Sequence, residues 1–138
     1  MSRLERPPEF FVDRSLGRRL VPQALRDRGL VVHTMAEVYG EQVGQGLPDE
    51  TWLADIGARG WIVLSKDERI RQRPAEVAAV RRHAVRMFCL TNAGLTGARQ
   101  AERFAGNADA MLRHATAPGP WIYGVYESGV RRLRLSRA

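Results

Sequence analysis

Short apolar runs alternate along the chain with longer segments whose apolar residues recur at helical spacing. The clearest run is Trp61-Ile62-Val63-Leu64-Ser65, which follows Gly57 and Gly60. β-Branched and aromatic residues dominate this run, so it predicts a short buried strand. The same pattern predicts strands at residues 10–13, 30–34, 61–65, 85–90, 121–126 and 130–135.

Helical spacing predicts the segments that connect these strands. Helices are predicted over residues 16–28, from Asp49 onward, over 74–82 and over 96–114. Pro22 predicts that the first helix starts late or kinks, and Asp49 is a favoured N-cap residue. Residues 35–48 contain three glycines and a proline, which predicts a loop with at most one helical turn at 36–39.

Strands that alternate with helices indicate an α/β fold with a mostly parallel sheet. The last two strands form a hairpin, which is expected to be either an antiparallel edge of the sheet or a surface for a partner. We expect a leader at residues 1–9, a main domain at 10–116, and a strand pair with a basic tail at 117–138.

Composition narrows the class of protein. Of 138 residues 44% are hydrophobic, which is enough for a core, and no apolar run approaches the roughly 20 residues of a membrane span. The N-terminus lacks the apolar segment of a secretory signal. Cys89 is the single cysteine and lies in an apolar run, so we expect a buried structural thiol. These features predict a soluble cytoplasmic protein.

The charge is strongly positive. Lys plus Arg is 22 and Asp plus Glu is 15, which gives a net charge of +7, and almost all of the positive charge is arginine. Arginine suits phosphate, so RNA or DNA is a plausible partner. An acidic protein segment would fit the same charge, and a solvated arginine-rich surface is the neutral alternative.

Two acids follow predicted strands. Asp13 ends the first strand, Asp67 ends the third, and Asp49 and Glu50 open the helix that leads into the third strand. Chemistry in parallel sheets gathers outside the carboxyl ends of the strands. Carboxylates that converge there suit Mg²⁺ or Mn²⁺, which would activate water for cleavage of a phosphodiester. Each acid also has a simpler role as a helix cap, a turn residue or an ion-pair partner.

Further candidates surround these acids. Glu37 and Glu68 are weaker acidic candidates that are expected to face solvent. Candidate contacts for the substrate phosphate are Arg14, Lys66 and Arg69. The chain has no glycine-rich phosphate loop of the nucleotide-binding types.

Three ordered stretches of the chain resemble the PIN-like family, and within it the VapC-type toxins of bacterial toxin–antitoxin pairs. They are Phe10-Phe11-Val12-Asp13-Arg14-Ser15-Leu16-Gly17, Asp49-Glu50-Thr51-Trp52-Leu53 and Gly60-Trp61-Ile62-Val63-Leu64-Ser65-Lys66-Asp67-Glu68-Arg69-Ile70. The resemblance covers residues 10–92. It implies a three-layer fold and a metal-dependent ribonuclease.

The resemblance also assigns residues and partners. The family's acids match Asp13, Asp49 and Asp67, with Glu50 as the competing choice for the second. The family's helix glutamate has no clear counterpart, and Glu37 is the nearest residue. An antitoxin that blocks the site and a homodimer are implied as well.

Two other functions are compatible with the residues. A phosphoacceptor signalling domain would use a strand-end aspartate and lysine, which Asp13 and Lys66 superficially match. A basic RNA-binding module of the same fold would bind RNA without cutting it. Cleavage of RNA that depends on Mn²⁺ and on Asp13 separates these alternatives from a nuclease.

Overall fold

The computed structural model describes residues 6–66, 68–92 and 94–136, with the backbone alone at 68 and 69. Within that part of the chain, six strands form one sheet in the order β2-β1-β3-β4-β5-β6. Neighbouring strands are parallel except for the antiparallel β5–β6 pair. The strands are Glu9–Val12 (β1), Val31–Thr34 (β2), Ile62–Ser65 (β3), Arg86–Leu90 (β4), Trp121–Tyr126 (β5) and Gly129–Leu133 (β6).

Helices cover both faces of the sheet. They are Leu20–Asp27 (α1), Met35–Tyr39 (α2), Glu41–Gly46 (α3), Asp49–Arg59 (α4), Pro74–Arg82 (α5), Gly97–Gly106 (α6) and Ala108–His114 (α7), with 3-10 turns at Arg14–Leu16 and Glu68–Arg71. One core cluster joins the sheet to α1, α6 and α7, and the other joins it to α2, α4 and α5. The predicted α/β fold with a mostly parallel sheet is confirmed.

The alternation of side chains along β1 explains the two clusters. Phe10 and Val12 lie in the first cluster and Phe11 lies in the second, and all three are fully buried. A strand that is buried on both faces has a continuous apolar sequence, as strands of parallel sheets do. Cys89 in β4 is 1% exposed, as expected for a structural thiol.

The first helix starts later than its apolar spacing predicts. α1 begins at Leu20, so that Pro22 falls in the first turn, where its missing N–H costs no helical hydrogen bond. Leu20 is 55% exposed, while Val21 and Leu25 are buried.

The prediction of a loop at residues 35–48 is right only for the helical turn at 36–39 and wrong for the segment after it. The chain forms α2 and α3 there, and Gly40 separates them with φ = 84°. A capping box starts α2: the Thr34 hydroxyl accepts from the Glu37 N–H at 3.1 Å, and the Glu37 carboxylate accepts from the Thr34 N–H at 2.8 Å. This reciprocal pair satisfies backbone donors that a short helix leaves open.

The predicted long helix over 96–114 is two helices. Asn107 divides them, and its side-chain amide donates to the Arg103 carbonyl at 2.8 Å and to the Tyr126 carbonyl at 3.0 Å. Asn107 therefore ties the break to strand β5 and turns α7 back onto the sheet.

The C-terminal hairpin is part of the sheet. β5 extends the parallel section, and β6 is the antiparallel edge that the sequence allowed. Beyond β6, the Ser136 N–H donates to the Arg71 carbonyl at 2.9 Å and the Ser136 hydroxyl to the Gln72 carbonyl at 3.1 Å. These bonds fasten the segment after β6 to the connection between β3 and α5.

Among the described helices, none combines the length and apolarity that crossing a membrane requires.

Candidate active site

Asp13 lies at the carboxyl edge of the sheet. It directly follows β1, which β2 and β3 flank, and its backbone N–H donates to the Leu64 carbonyl at 3.1 Å. The side chain turns inward, so that the residue is only 3% exposed. Its carboxylate accepts from the Ser15 N–H at 2.9 Å, from the Ser15 hydroxyl, and from the Ser65 side chain.

Burial raises the pKa of Asp13 from 3.8 to about 6. The hydrogen bonds from Ser15 and Ser65 act in the opposite direction, because they stabilise the carboxylate, and the negative charge of Asp49 adds to the rise. The charges of Asp13 and Asp49 therefore act on each other across the site. A cation between them would relieve both the burial cost and the repulsion.

Asp49 is held from three sides. Its Oδ1 accepts from Arg14 Nη2 at 3.1 Å and from Trp52 Nε1 at 3.0 Å, and its Oδ2 accepts from Arg73 Nη1 at 3.4 Å. Asp49 is the first residue of α4, and Pro48 occupies the N-cap position where Asp49 was expected. Its carboxylate is thus directed toward the arginines rather than toward its own helix end.

Arg14 connects the site to the segment before α4. Besides Asp49, it donates to the Gly44 carbonyl at 3.0 Å and to the Leu47 carbonyl at 2.7 Å. A side chain with three protein acceptors is organised by the fold, so Arg14 positions Asp49 more directly than it offers a phosphate contact.

The remaining sequence candidates have different placements. Glu37 belongs to the capping box of α2 and pairs with Arg26 at 2.9 Å, and the Thr34 N–H and Arg26 lower its pKa. Glu50 is exposed on α4. The Lys66 N–H donates to the Ser15 hydroxyl at 3.2 Å, next to Asp13. Three candidates lie outside the described part of the chain: Asp67 entirely, and Glu68 and Arg69 with their side chains.

The described donors suit a hard divalent cation. Among the described residues there is no group of three His, Cys, Asp or Glu side chains at ligand spacing. Asp13 and Asp49 would supply two carboxylates, and Mg²⁺ ordinarily takes one or two from protein while it keeps several waters. Each carboxylate oxygen has two lone pairs, so the present hydrogen bonds leave Asp13 and Asp49 capacity for a cation.

Comparison with known proteins decides the family. A family model described as "PIN like domain" matches residues 8–92, which span β1 to the end of β4. The chain belongs to the PIN-like domain family. This PIN-like chain is also 41% identical over 124 residues, 90% of each chain, to a Mycobacterium tuberculosis protein named "Putative ribonuclease VapC45". No solved structure matches it significantly.

Sequence reasoning missed several residues that shape this PIN-like site. Ser65 ends β3 beside Asp13, and Arg73 and Trp52 hold Asp49. Ser15 was detectable, because a serine two residues after an aspartate can close a local turn with it. Arg73 gave no signal, since its contact with Asp49 joins residues 24 positions apart.

Proposed function

We propose that this chain is a Mg²⁺- or Mn²⁺-dependent endoribonuclease and the toxin of a toxin–antitoxin pair. The observation that carries the proposal is the buried Asp13 carboxylate at the carboxyl edge of the sheet, where the negative charge of Asp49 adds to the rise of its pKa. The similarity to a relative named as a ribonuclease supports the choice of RNA. The net charge of +7 supports a polyanionic substrate.

In the proposed mechanism, Asp13 and Asp49 hold the cation, with Asp67 as a third ligand. A bound Mg²⁺ or Mn²⁺ would lower the pKa of water and neutralise charge on the scissile phosphate. Ser15 and Ser65 fix the orientation of the Asp13 carboxylate through their hydrogen bonds. Arg14 and Arg73 keep Asp49 directed at the same edge.

The substrate phosphate would meet positive charge beside these acids. Lys66 follows β3, and its backbone N–H donates to the Ser15 hydroxyl. This bond holds the Lys66 backbone near Asp13, so the side-chain ammonium group can reach a phosphate beside the acids. Arg69 is the second proposed phosphate contact. Glu50 is the proposed alternative metal ligand if Asp49 remains paired with Arg14 and Arg73.

Cleavage of RNA tests the proposed activity. With Mn²⁺ present, purified protein should cleave a labelled single-stranded RNA, and EDTA should abolish the reaction. Asp13→Asn removes the charge that the cation needs, so we expect a loss of about 100-fold or more. Gel analysis of the labelled products measures the rates.

The matched control is Asp27→Asn, since Asp27 is an exposed aspartate at the end of α1 whose carboxylate accepts from the Gln23 side-chain amide at 2.8 Å. This variant should cut RNA at the wild-type rate. Circular dichroism should show that both variants fold. Cleavage that Asp13→Asn leaves intact, or that continues in EDTA, would contradict the proposal, and binding without cleavage would favour the basic binding module.

The antitoxin needs its own test. We propose that a small protein encoded next to this chain inserts a basic side chain at the acids, and that the complex is cytoplasmic. Co-expression of the adjacent small reading frame should yield a complex whose RNA cleavage is suppressed. Normal cleavage by a stable complex would argue against blockage of the site.

A further inference from the structure

A cavity of about 290 Å³ opens at the carboxyl edge of the sheet beside Asp13. Arg14, the residue after Asp13, lines the cavity, and so does Thr34, which is paired in register with Val12 just before Asp13. The cavity therefore adjoins the proposed catalytic carboxylate on its β2 side. All of its lining residues lie in the described range 14–45.

The lining of the cavity combines apolar side chains with exposed backbone. Met35 and Ala36 contribute apolar surface, and Gly40 and Gly44 contribute backbone without side chains. Gly44 packs directly on Met35, because a Cβ added at Gly44 would lie 2.9 Å from Met35 Cγ. Apolar walls that leave space for a planar group are typical of sites that accept an unstacked base.

Two exposed side chains of opposite charge lie at the opening of the cavity, one a hydrogen-bond donor and the other an acceptor. Arg18 and Glu41 both line the cavity and form an ion pair with each other, and their side chains are 57% and 62% exposed. Exposed ion pairs contribute little stability, so a ligand can separate this pair at small cost. Separated, Arg18 offers two parallel N–H donors and Glu41 offers two acceptor oxygens.

We propose that this cavity binds one unstacked base of the RNA substrate, and that Arg18 and Glu41 select guanine. Guanine presents O6 and N7 as acceptors for an arginine fork, and its N1–H and N2–H₂ groups as donors for a carboxylate. A purine also fills a cavity of this volume better than a pyrimidine does. The inference rests on the proposed ribonuclease function and adds the sequence preference of the cut.

Binding of short RNAs tests the preference separately from catalysis. Fluorescence anisotropy in EDTA measures the affinity of wild-type protein for labelled pentanucleotides of sequence UUGUU, UUAUU, UUCUU and UUUUU. We expect UUGUU to bind about 10-fold more tightly than the other three, as two good base-edge contacts allow. Mapping of cleavage ends on a mixed-sequence RNA in Mn²⁺ should show cuts next to guanine.

Two variants address the cavity by different routes. Glu41→Gln replaces one acceptor with a donor, and Ala36→Leu fills the space between the walls. Both should remove the preference for UUGUU in binding and in cleavage mapping. Val43→Ala is the control, because Val43 is 59% exposed on α3 and does not line the cavity. It should keep the wild-type preference.

The outcomes separate the inference from the function on which it rests. A wild-type protein that neither binds nor cuts RNA would refute the ribonuclease itself. Cleavage with equal use of all bases, or a guanine preference that survives in both Glu41→Gln and Ala36→Leu, would overturn only the base site. If these variants keep the RNA preference but lose the antitoxin, the cavity serves a protein partner and the inference is wrong.

Discussion

Asp13 combines an observed structural role with a proposed chemical role in one side chain. It is the N-cap of the 3-10 turn at Arg14–Leu16, which is the simpler role that its sequence position allows. The same carboxylate is buried and within the electrostatic reach of Asp49. The cap fixes the direction of the carboxylate, so the structural role prepares the chemical one.

The raised pKa of Asp13 makes stability depend on pH. The pKa is about 6 in the folded protein and 3.8 in an unperturbed carboxyl, so the folded state binds more protons than the unfolded state between these values. Stability without metal should therefore fall as the pH rises from about 4 to about 6. The difference corresponds to about 3 kcal/mol at neutral pH. Urea unfolding in EDTA across pH 4.5 to 8 measures it.

Asp13→Asn isolates this contribution. Asparagine keeps a side-chain acceptor for Ser15 but carries no charge to bury, so the variant should lack this decline and be the more stable protein at pH 7. Adding Mg²⁺ at pH 7 should stabilise the wild type and leave Asp13→Asn unchanged. Equal pH profiles for the two proteins would show that burial of the Asp13 charge costs the fold nothing.

At the scale of elements, strands were easier to predict than the short helices. The central strands β1, β3 and β4 are mostly apolar and buried, and burial on both faces of the sheet leaves few other structures for such runs. Helix α3 was not predicted, because Gly40, Gly44 and Gly46 are residues typical of loops. The capping-box pattern Thr34-Met35-Ala36-Glu37 was present in the sequence and was the local signal for α2.

Two helical glycines should respond in opposite ways to alanine. A Cβ on Gly57 in α4 would lie 2.7 Å from the His83 carbonyl oxygen, whereas a Cβ on Gly106 in α6 would meet no atom within 4 Å. Gly57→Ala should destabilise the protein by about 1–3 kcal/mol through overpacking. Gly106→Ala should stabilise it by up to about 1 kcal/mol, because alanine loses less backbone entropy. Urea unfolding measures both changes, and equal effects would contradict the packing of α4 against His83.

At the scale of the whole molecule, the architecture was predictable and the site was only partly so. The position of Asp13 directly after a predicted strand was sufficient to predict that it lies at the carboxyl edge of the sheet. The environment of Asp49 depends on Arg14, 35 residues earlier, and on Arg73, 24 residues later. Local patterns carry no information about such pairs, because the sheet order brings them together only after folding.

The buried thiol of Cys89 in the middle of the sheet provides a way to measure how often the folded core opens. Cys89 belongs to β4, which has strands on both sides, and the chain contains no other cysteine. A thiol-reactive dye can modify Cys89 only when the helices that cover this face detach or the central strands separate, so the labelling rate follows opening of the core rather than fraying at the edge. The rate of Cys89 labelling can thus measure the lifetime of the folded state without any introduced label site.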